Sequence, residues 1–241
     1  MNAMEFALTE INNKSIKTST KREYLSICKN LGLEKLEMPL NLQEITQILA
    51  GIYNDNSRRK CAIALRSIYG LKIRISSASP AELDLPPFEQ LHEIIQNSRN
   101  YAMYGNLMLH CGMRIGETVV KQPVKGNVIV VNRQKNGYNE ITSSKSSGPV
   151  VAPGWLLERY ADWEPAHHYN TVYLGITRLF RKYGLPQITC HKLRHAYASH
   201  YSQLLSPEAL RKQMRHRNVQ TTMSYYVHVS EEMIQSALFG E

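Results

Sequence analysis

The sequence predicts a mainly α protein of two domains with a single small β-hairpin, and three observations lead there. Apolar residues recur at three- and four-residue spacing along most of the chain, as on helices that bury one face. One β-branched stretch, Asn127 to Asn132 (NVIVVN), breaks that pattern. A small-residue, proline-rich segment, Ser76-Ser77-Ala78-Ser79-Pro80 followed by Pro86-Pro87, reads as a linker. The expected division of the 241 residues is therefore a helical domain over 1–76, a linker over 77–87 and a second domain over 88–241.

In the first domain the apolar spacing predicts helices over Ser19–Leu31, with Tyr24, Leu25, Ile27 and Cys28 on one side, over Leu42–Tyr53, and over Ser57–Tyr69, with Cys61, Leu65 and Ile68. After the linker, Phe88–Asn97 and Tyr101–Cys111 read as helices. In the hairpin, Asn127–Asn132 forms the first strand, Asn136-Gly137 is a two-residue turn signal, and Asn139–Ser143 returns. Helices are expected again over Pro153–Tyr160, Asn170–Tyr183 and His191–Leu205. Ser206 caps the next one, with Pro207 in its first position and Glu208 near its positive end. In the tail Glu231–Glu241, Met233, Ile234, Ala237 and Leu238 make an apolar stripe too short to stand alone, so it needs a partner on its own domain or another chain.

Composition narrows the partners. Against 20 Asp and Glu stand 29 Lys and Arg, a formal charge of +9 that attracts a polyanion, of which nucleic acid is the commonest. Lys17, Lys21, Arg22, Arg58, Arg59 and Lys60 are, as a group, candidate phosphate contacts on the first domain's helices, although for any one of them a hydrated helix face is the better reading. Cys28, Cys61, Cys111 and Cys190 are too widely spaced for a zinc knuckle or a disulfide framework, which points to free thiols inside a cell. The start MNAMEFALTEINNK lacks the basic-then-apolar order of a signal peptide, and no apolar run approaches a membrane span, so the expected setting is cytoplasmic and nucleoid-associated.

The chemistry concentrates in the last third. In His191-Lys192-Leu193-Arg194-His195, positions i, i+3 and i+4 share one helix face, so two histidines and a guanidinium converge on one place. Arginine holds two phosphate oxygens at once and stays charged, which suits a transition state gaining negative charge. A zinc site of the HEXXH type needs Glu after the first His, and this chain has Lys192. With no Asp/Glu cluster to hold cations, the expectation is phosphate chemistry without a metal or other cofactor.

Around this run stand Leu109-His110-Cys111-Gly112-Met113-Arg114-Ile115-Gly116-Glu117 upstream and Met214-Arg215-His216-Arg217-Asn218-Val219-Gln220-Thr221-Thr222-Met223-Ser224-Tyr225 downstream. This ordered set closely resembles the tyrosine recombinase (phage integrase) family, well over roughly residues 84–230 and loosely before them. The resemblance implies a two-domain DNA clamp, the first domain a SAM-like core-binding unit and the second carrying the recombinase catalytic fold. It implies a simple, Xer-like site-specific recombinase that cuts and rejoins double-stranded DNA through a 3′-phosphotyrosyl bond, as a homotetramer on synapsed sites. Arg114 and Arg194 match the phosphate-clamping arginines, Glu117 the acidic residue supporting the first, His191 the proton-transfer histidine and His216 the donor to the scissile phosphate. Counting forward from Thr222 makes Tyr225 the nucleophile; counting back from His228-Val229 makes it Tyr226. The family's acid for the leaving oxygen is a hairpin lysine, here Lys135 first and Lys145 second, and His195 is expected to be mainly structural. Arg215 stands where the family has glycine, so a different turn is expected there. Other readings that the residues leave open are a DNA-binding descendant without catalysis and a type IB topoisomerase-like activity.

Overall fold

A computed structural model describes residues 1–74 and 85–226. Most of the expected linker, the His228-Val229 pair and the tail stripe lie outside the described residues. By its contacts the chain divides into two compact units, Met1–Glu82 and Leu83–Glu241.

The first unit contains α1 (Ala3–Asn13), α2 (Thr18–Asn30), a 3-10 turn (Leu33–Lys35), α3 (Leu42–Ala50) and α4 (Asp55–Tyr69). Helix α1 was not among the sequence expectations, yet its start is encoded. The Asn2 side chain accepts from the Glu5 amide at 2.9 Å while the Glu5 carboxylate accepts from the Asn2 amide at 3.0 Å, a reciprocal cap. Its Ala3, Ala7 and Ile11 meet Cys28, Leu33, Ile45 and Leu65 in a closed core, and the Tyr69 hydroxyl donates to the Ala3 carbonyl at 2.7 Å. Asn41 and Asn54 cap α3 and α4 in the same side-chain manner.

The second unit runs α5 (Phe88–Gln96), α6 (Ala102–Cys111), α7 (Ile115–Thr118), β1 (Val124–Lys125), β2 (Val128–Lys135), β3 (Ile141–Val151), α8 (Gly154–Ala161), α9 (Tyr169–Lys182), α10 (Cys190–Ser202), α11 (Pro207–Met214) and α12 (Gln220–Met223). Helix α6 is its axis. From Tyr104 to Leu109 every residue is buried, as expected of a helix that is apolar nearly all round. One side of it packs with Leu91, Ile95, Val172, Ile176, Phe180 and Leu193; on the other, Leu107 and Cys111 meet Ile129, Val131, Val150, Leu156 and Tyr160.

The sheet is antiparallel, in the order β1-β2-β3. Two of its features differ from the sequence expectation. The turn is longer than Asn136-Gly137. Asn139 adopts a left-handed φ of 63°, its amide bonds the Asn136 carbonyl, and the Asn136 amide bonds the Glu140 carbonyl. The Asn136 side chain decides this by accepting from the amides of both Tyr138 and Glu140 at 3.0 Å. The return strand also continues far past Ser143. Val131 pairs with Gly148 and Arg133 with Ser143, so Ser144–Ser147 arch opposite Asn132 alone, a wide bulge in the middle of β3. On the other edge of β2 the two-residue β1 is extended by a buried side chain. Gln122 accepts from the Asn132 amide at 3.1 Å and donates to the carbonyls of Arg133 (2.8 Å) and Glu117 (2.9 Å). Among the described residues no helix is long and apolar enough to cross a membrane.

Candidate active site

Helix α6 stops at Gly112, whose φ of 59° is left-handed and whose missing Cβ would sit 2.7 Å from the Met214 sulfur. Only glycine meets both demands, and the stop aims the following residues at α10 and α11. Arg114 then caps α7. Its amide donates to one Glu117 carboxylate oxygen at 2.8 Å and its guanidinium to the other at 3.0 Å.

Glu117 is the hub. Fully buried, it also accepts from the Ser144 hydroxyl at 2.8 Å, out of the β3 bulge, and from Arg215 Nη2 at 2.5 Å. Burial pushes its carboxyl up, but the Arg215 and Arg114 charges, the Arg114 amide and the Ser144 hydroxyl reverse this and hold it below the ordinary carboxylate value. A buried anion with this many donors is a structural cornerstone as much as a charge.

Arg194, on α10, is 3% exposed; its guanidinium donates to the Gly112 carbonyl and, at 2.6 Å, to the Met214 carbonyl. It therefore ties the end of α6 to the end of α11. Burial, with Arg114 and Arg215 nearby, lowers it to about 9, so it remains charged at neutral pH.

Arg215 ends α11 at φ 54°, ψ 42°, the left-handed conformation. The expectation of a different turn is thus corrected: the backbone takes the shape a glycine would take, with an arginine in it. Such a conformation costs a residue with a side chain roughly 1–2 kcal/mol. The side chain offsets this by reaching Glu117 and, through Nε at 3.1 Å, the Ser146 carbonyl in the bulge. Its stem lies over Gly148, where a Cβ would stand 3.5 Å from Arg215 Cδ. The sequence carried no local sign of this role beyond the occupation of a glycine position by Arg215.

Beyond this cage come the imidazoles and phenols. The Tyr225 hydroxyl is hydrogen-bonded to Nδ1 of His195, and the His195 ring packs edge-on to His191 at 4.5 Å between centroids. His195, expected to be mainly structural, is therefore the direct partner of a candidate nucleophile. Tyr226 turns elsewhere, donating to the Leu205 carbonyl at 2.6 Å. His216 shares a 2.9 Å hydrogen bond with the fully buried Thr222. Burial, with His191, Lys192 and Arg194 nearby, lowers His195 to about 4; burial, with Arg194 and Arg114, does the same to His216. Both are neutral at pH 7. Desolvation and the Arg194 and Arg114 charges also keep His191 below its ordinary value. Burial raises the Tyr225 phenol, and Arg194 pulls it back in part.

Arg114, Glu117, Arg194, His191, His216 and Tyr225 are thus linked through shared partners or neighbouring charges. The two lysines differ in placement. Lys135 is the last residue of β2, in regular pairing with Ile141, whereas Lys145 lies in the bulge between Ser144 and Ser146, both of which touch the cage. In the first unit Lys17, Arg22, Arg59 and Lys60 are exposed, Lys60 lying 4.0 Å from Glu23. Lys21 donates to the Asn12 carbonyl, and Arg58 is spent on the Leu49 and Ile52 carbonyls at the end of α3 and on Asp55.

The profile of the phage integrase family matches residues 164–233. The transposase of transposon Tn916 from Enterococcus faecalis is 36% identical over 69 residues, as is that of Tn1545 from Streptococcus pneumoniae; the match takes in 27% of this chain and 17% of each relative's length. The chain thus spans about a sixth of these relatives. Over nearly its full length it shares a fold with solved structures. The Tn1549 transposon integrase in complex with transposon right end DNA superposes with a TM-score of 0.76 at 16% identity, covering 99% of this chain and 98% of that one. A lambda integrase dimer bound to a core site gives 0.68 at 14% identity over 93% and 95%. XerH recombinase bound to its palindromic substrate gives 0.64 at 12% identity over 99% and 94%. The mainly α architecture with one three-stranded antiparallel sheet is the tyrosine recombinase fold. The phage integrase profile thus matches a stretch within the last third of the chain, and along nearly its whole length the chain shares the fold of these integrase and recombinase structures.

Proposed function

We propose that the protein is a site-specific DNA recombinase that cuts and rejoins double-stranded DNA through a 3′-phosphotyrosyl intermediate, using neither metal nor ATP. One observation carries the reading: a phenol hydroxyl, Tyr225, bonded to a neutral histidine within the field of the buried Arg194, which lies near two further arginines, Arg114 and Arg215, that share one buried carboxylate.

In the proposed step the Tyr225 oxygen attacks phosphorus and its proton passes to His195, with His191 beside it. The P–O5′ bond breaks, and the 5′ oxygen leaves with the electron pair and takes a proton from a lysine ammonium. A partner strand's 5′ hydroxyl then reverses the step. Arg114, Arg194 and His216 neutralise the non-bridging oxygens, with Glu117 setting the arginine geometry. A phenol with a pKa of about 10 needs such a base and cationic surroundings to react at neutral pH. Placement in the bulge favours Lys145 over Lys135 as the acid. The engagement of Tyr226 with Leu205 favours Tyr225 as the nucleophile.

The first unit serves as the core-binding domain, with Lys17, Lys21, Arg22, Arg59 and Lys60 as phosphate contacts; Arg58 leaves that set because its donors are occupied. Assembly as a tetramer on synapsed sites, in the nucleoid, completes the proposal. The solved relatives named above are proteins bound to DNA, which supports DNA as the partner.

The test uses duplexes recovered by binding selection, each nicked beside the cleavage point so that cutting traps the enzyme, incubated with EDTA. A covalent peptide at Tyr225 is expected. An adduct at Tyr226 would move the nucleophile, and no adduct on a tightly bound duplex would overturn the recombinase in favour of a DNA-binding protein.

A further inference from the structure

Arg215 has no role in the proposed chemistry, although it is one of the most expensive residues in the unit to keep. It is buried, charged and left-handed. A glycine would hold the same backbone without cost, so what the position retains is the side chain. Two nitrogens of that side chain do different things. Nη2 binds Glu117, 98 residues earlier, and Nε binds the Ser146 carbonyl, 69 residues earlier.

The second contact matters because of where Ser146 sits. Ser144–Ser147 have no ladder partners of their own beyond Asn132, so regular pairing does not fix the path of the arch. What fixes it is the Ser144 hydroxyl on Glu117 at one shoulder and the Ser146 carbonyl on Arg215 at the other. Lys145 lies between those two shoulders. The arginine fork spans the carboxylate and the carbonyl at once, which the single nitrogen of a lysine cannot do.

We propose that Arg215 is a positioning residue for the general acid: it clamps the β3 bulge to Glu117 and so holds Lys145 in register with the arginine cage. The inference rests on the recombinase reading and extends it with a residue that touches neither substrate nor nucleophile. It predicts a selective defect, because a misplaced acid slows departure of the 5′ oxygen and leaves phosphate binding and the nucleophile alone.

A substrate that dispenses with the acid reads this directly. In a 5′-bridging phosphorothiolate duplex the P–S bond breaks and the thiolate leaves with its electron pair, needing no proton. Single-turnover adduct formation is measured on ordinary and phosphorothiolate suicide duplexes with the full chain and with R215G, R215K and K145A. R215G is expected to lose on the order of 10²-fold on the oxygen substrate, the scale of general acid catalysis, and to stay within about threefold of wild type on the sulfur substrate. K145A should show the same pattern, and DNA affinity should hold within about threefold. R215K keeps the charge beside Glu117 and loses the clamp, so it should fall on the R215G side, and it carries the test if R215G melts. Equal losses on both substrates would overturn the proposal by making Arg215 a charge stabiliser or a mere prop; so would no loss at all. Wild-type protein that forms no adduct on either duplex would instead overturn the recombinase reading on which the proposal stands.

Discussion

The two units carry positive charge in opposite ways. In the first, Lys17, Arg22, Arg59 and Lys60 stand on helix faces in water. In the second, Arg194 and Arg215 are 3% and 6% exposed and bonded to backbone carbonyls and a buried carboxylate. Exposed cations act through a screened field that fades within a Debye length. Buried and bonded ones act through fixed positions, at a desolvation cost that only a complete set of partners repays. One chain thus separates attraction from alignment, and the net charge of +9 describes only the first.

The sharpest test of that division removes the proposed nucleophile. Tyr225→Phe should lower adduct formation on trapped duplexes by on the order of 10³-fold or more, while gel-shift affinity stays near wild type. Tyr226→Phe, which loses only the hydrogen bond to Leu205, should react at a rate close to wild type.

The next largest effect falls on stability and divides the arginines. Arg194→Ala leaves the Gly112 and Met214 carbonyls without their donor in a dry place and should cost about 2–5 kcal/mol. Arg59→Ala, on an exposed face, should change stability by less than about 0.5 kcal/mol. Denaturant melts of the two proteins check both, and comparable losses would erase the distinction.

Acid offers a third test. His110, His195 and His216 are each lowered to about 4 from an ordinary 6.5, burial being the largest cause. Between those values the unfolded chain binds protons that the folded one refuses, so stability rises with pH across the window and falls as pH drops from 6.5 towards 4. Glu117, held low, adds stability above its ordinary value that is lost only in stronger acid, as pH falls through its folded value. Melting temperature should therefore decline steadily over pH 6.5 to 4, and a flat profile would contradict neutral, buried imidazoles.

The smallest effects belong to the exposed set. Replacing Lys17, Arg22, Arg59 and Lys60 by Gln should flatten the dependence of log affinity on log salt by about 0.9 for each phosphate no longer neutralised. A slope that does not change would take these residues off the DNA.

The sequence and structure agree where local signals and burial coincide. The helices over Phe88–Gln96 and Pro207–Met214 were legible from apolar spacing and from the Ser206-Pro207 start. The second half of β3 was not, because Ser144-Lys145-Ser146-Ser147-Gly148-Pro149 has little strand propensity; its pairing is decided by Val150 and Val151 against Ile129 and Val128. The site divides similarly. Arg114, Arg194 and Tyr225 stood in recognisable boxes, whereas the bond from Tyr225 to His195 and the inward turn of Arg215 are tertiary facts with no local signature.

The shell around Glu117 has a consequence for biogenesis. Its donors come from Arg114, Ser144 and Arg215, so the carboxylate is satisfied only once the polypeptide beyond residue 215 has left the ribosome and docked. Contacts this distant in the chain form late. A nascent or proteolytically shortened chain ending before Arg215 would leave the carboxylate to its Arg114 and Ser144 donors, so the arginine cage is completed only when the end of α11 docks.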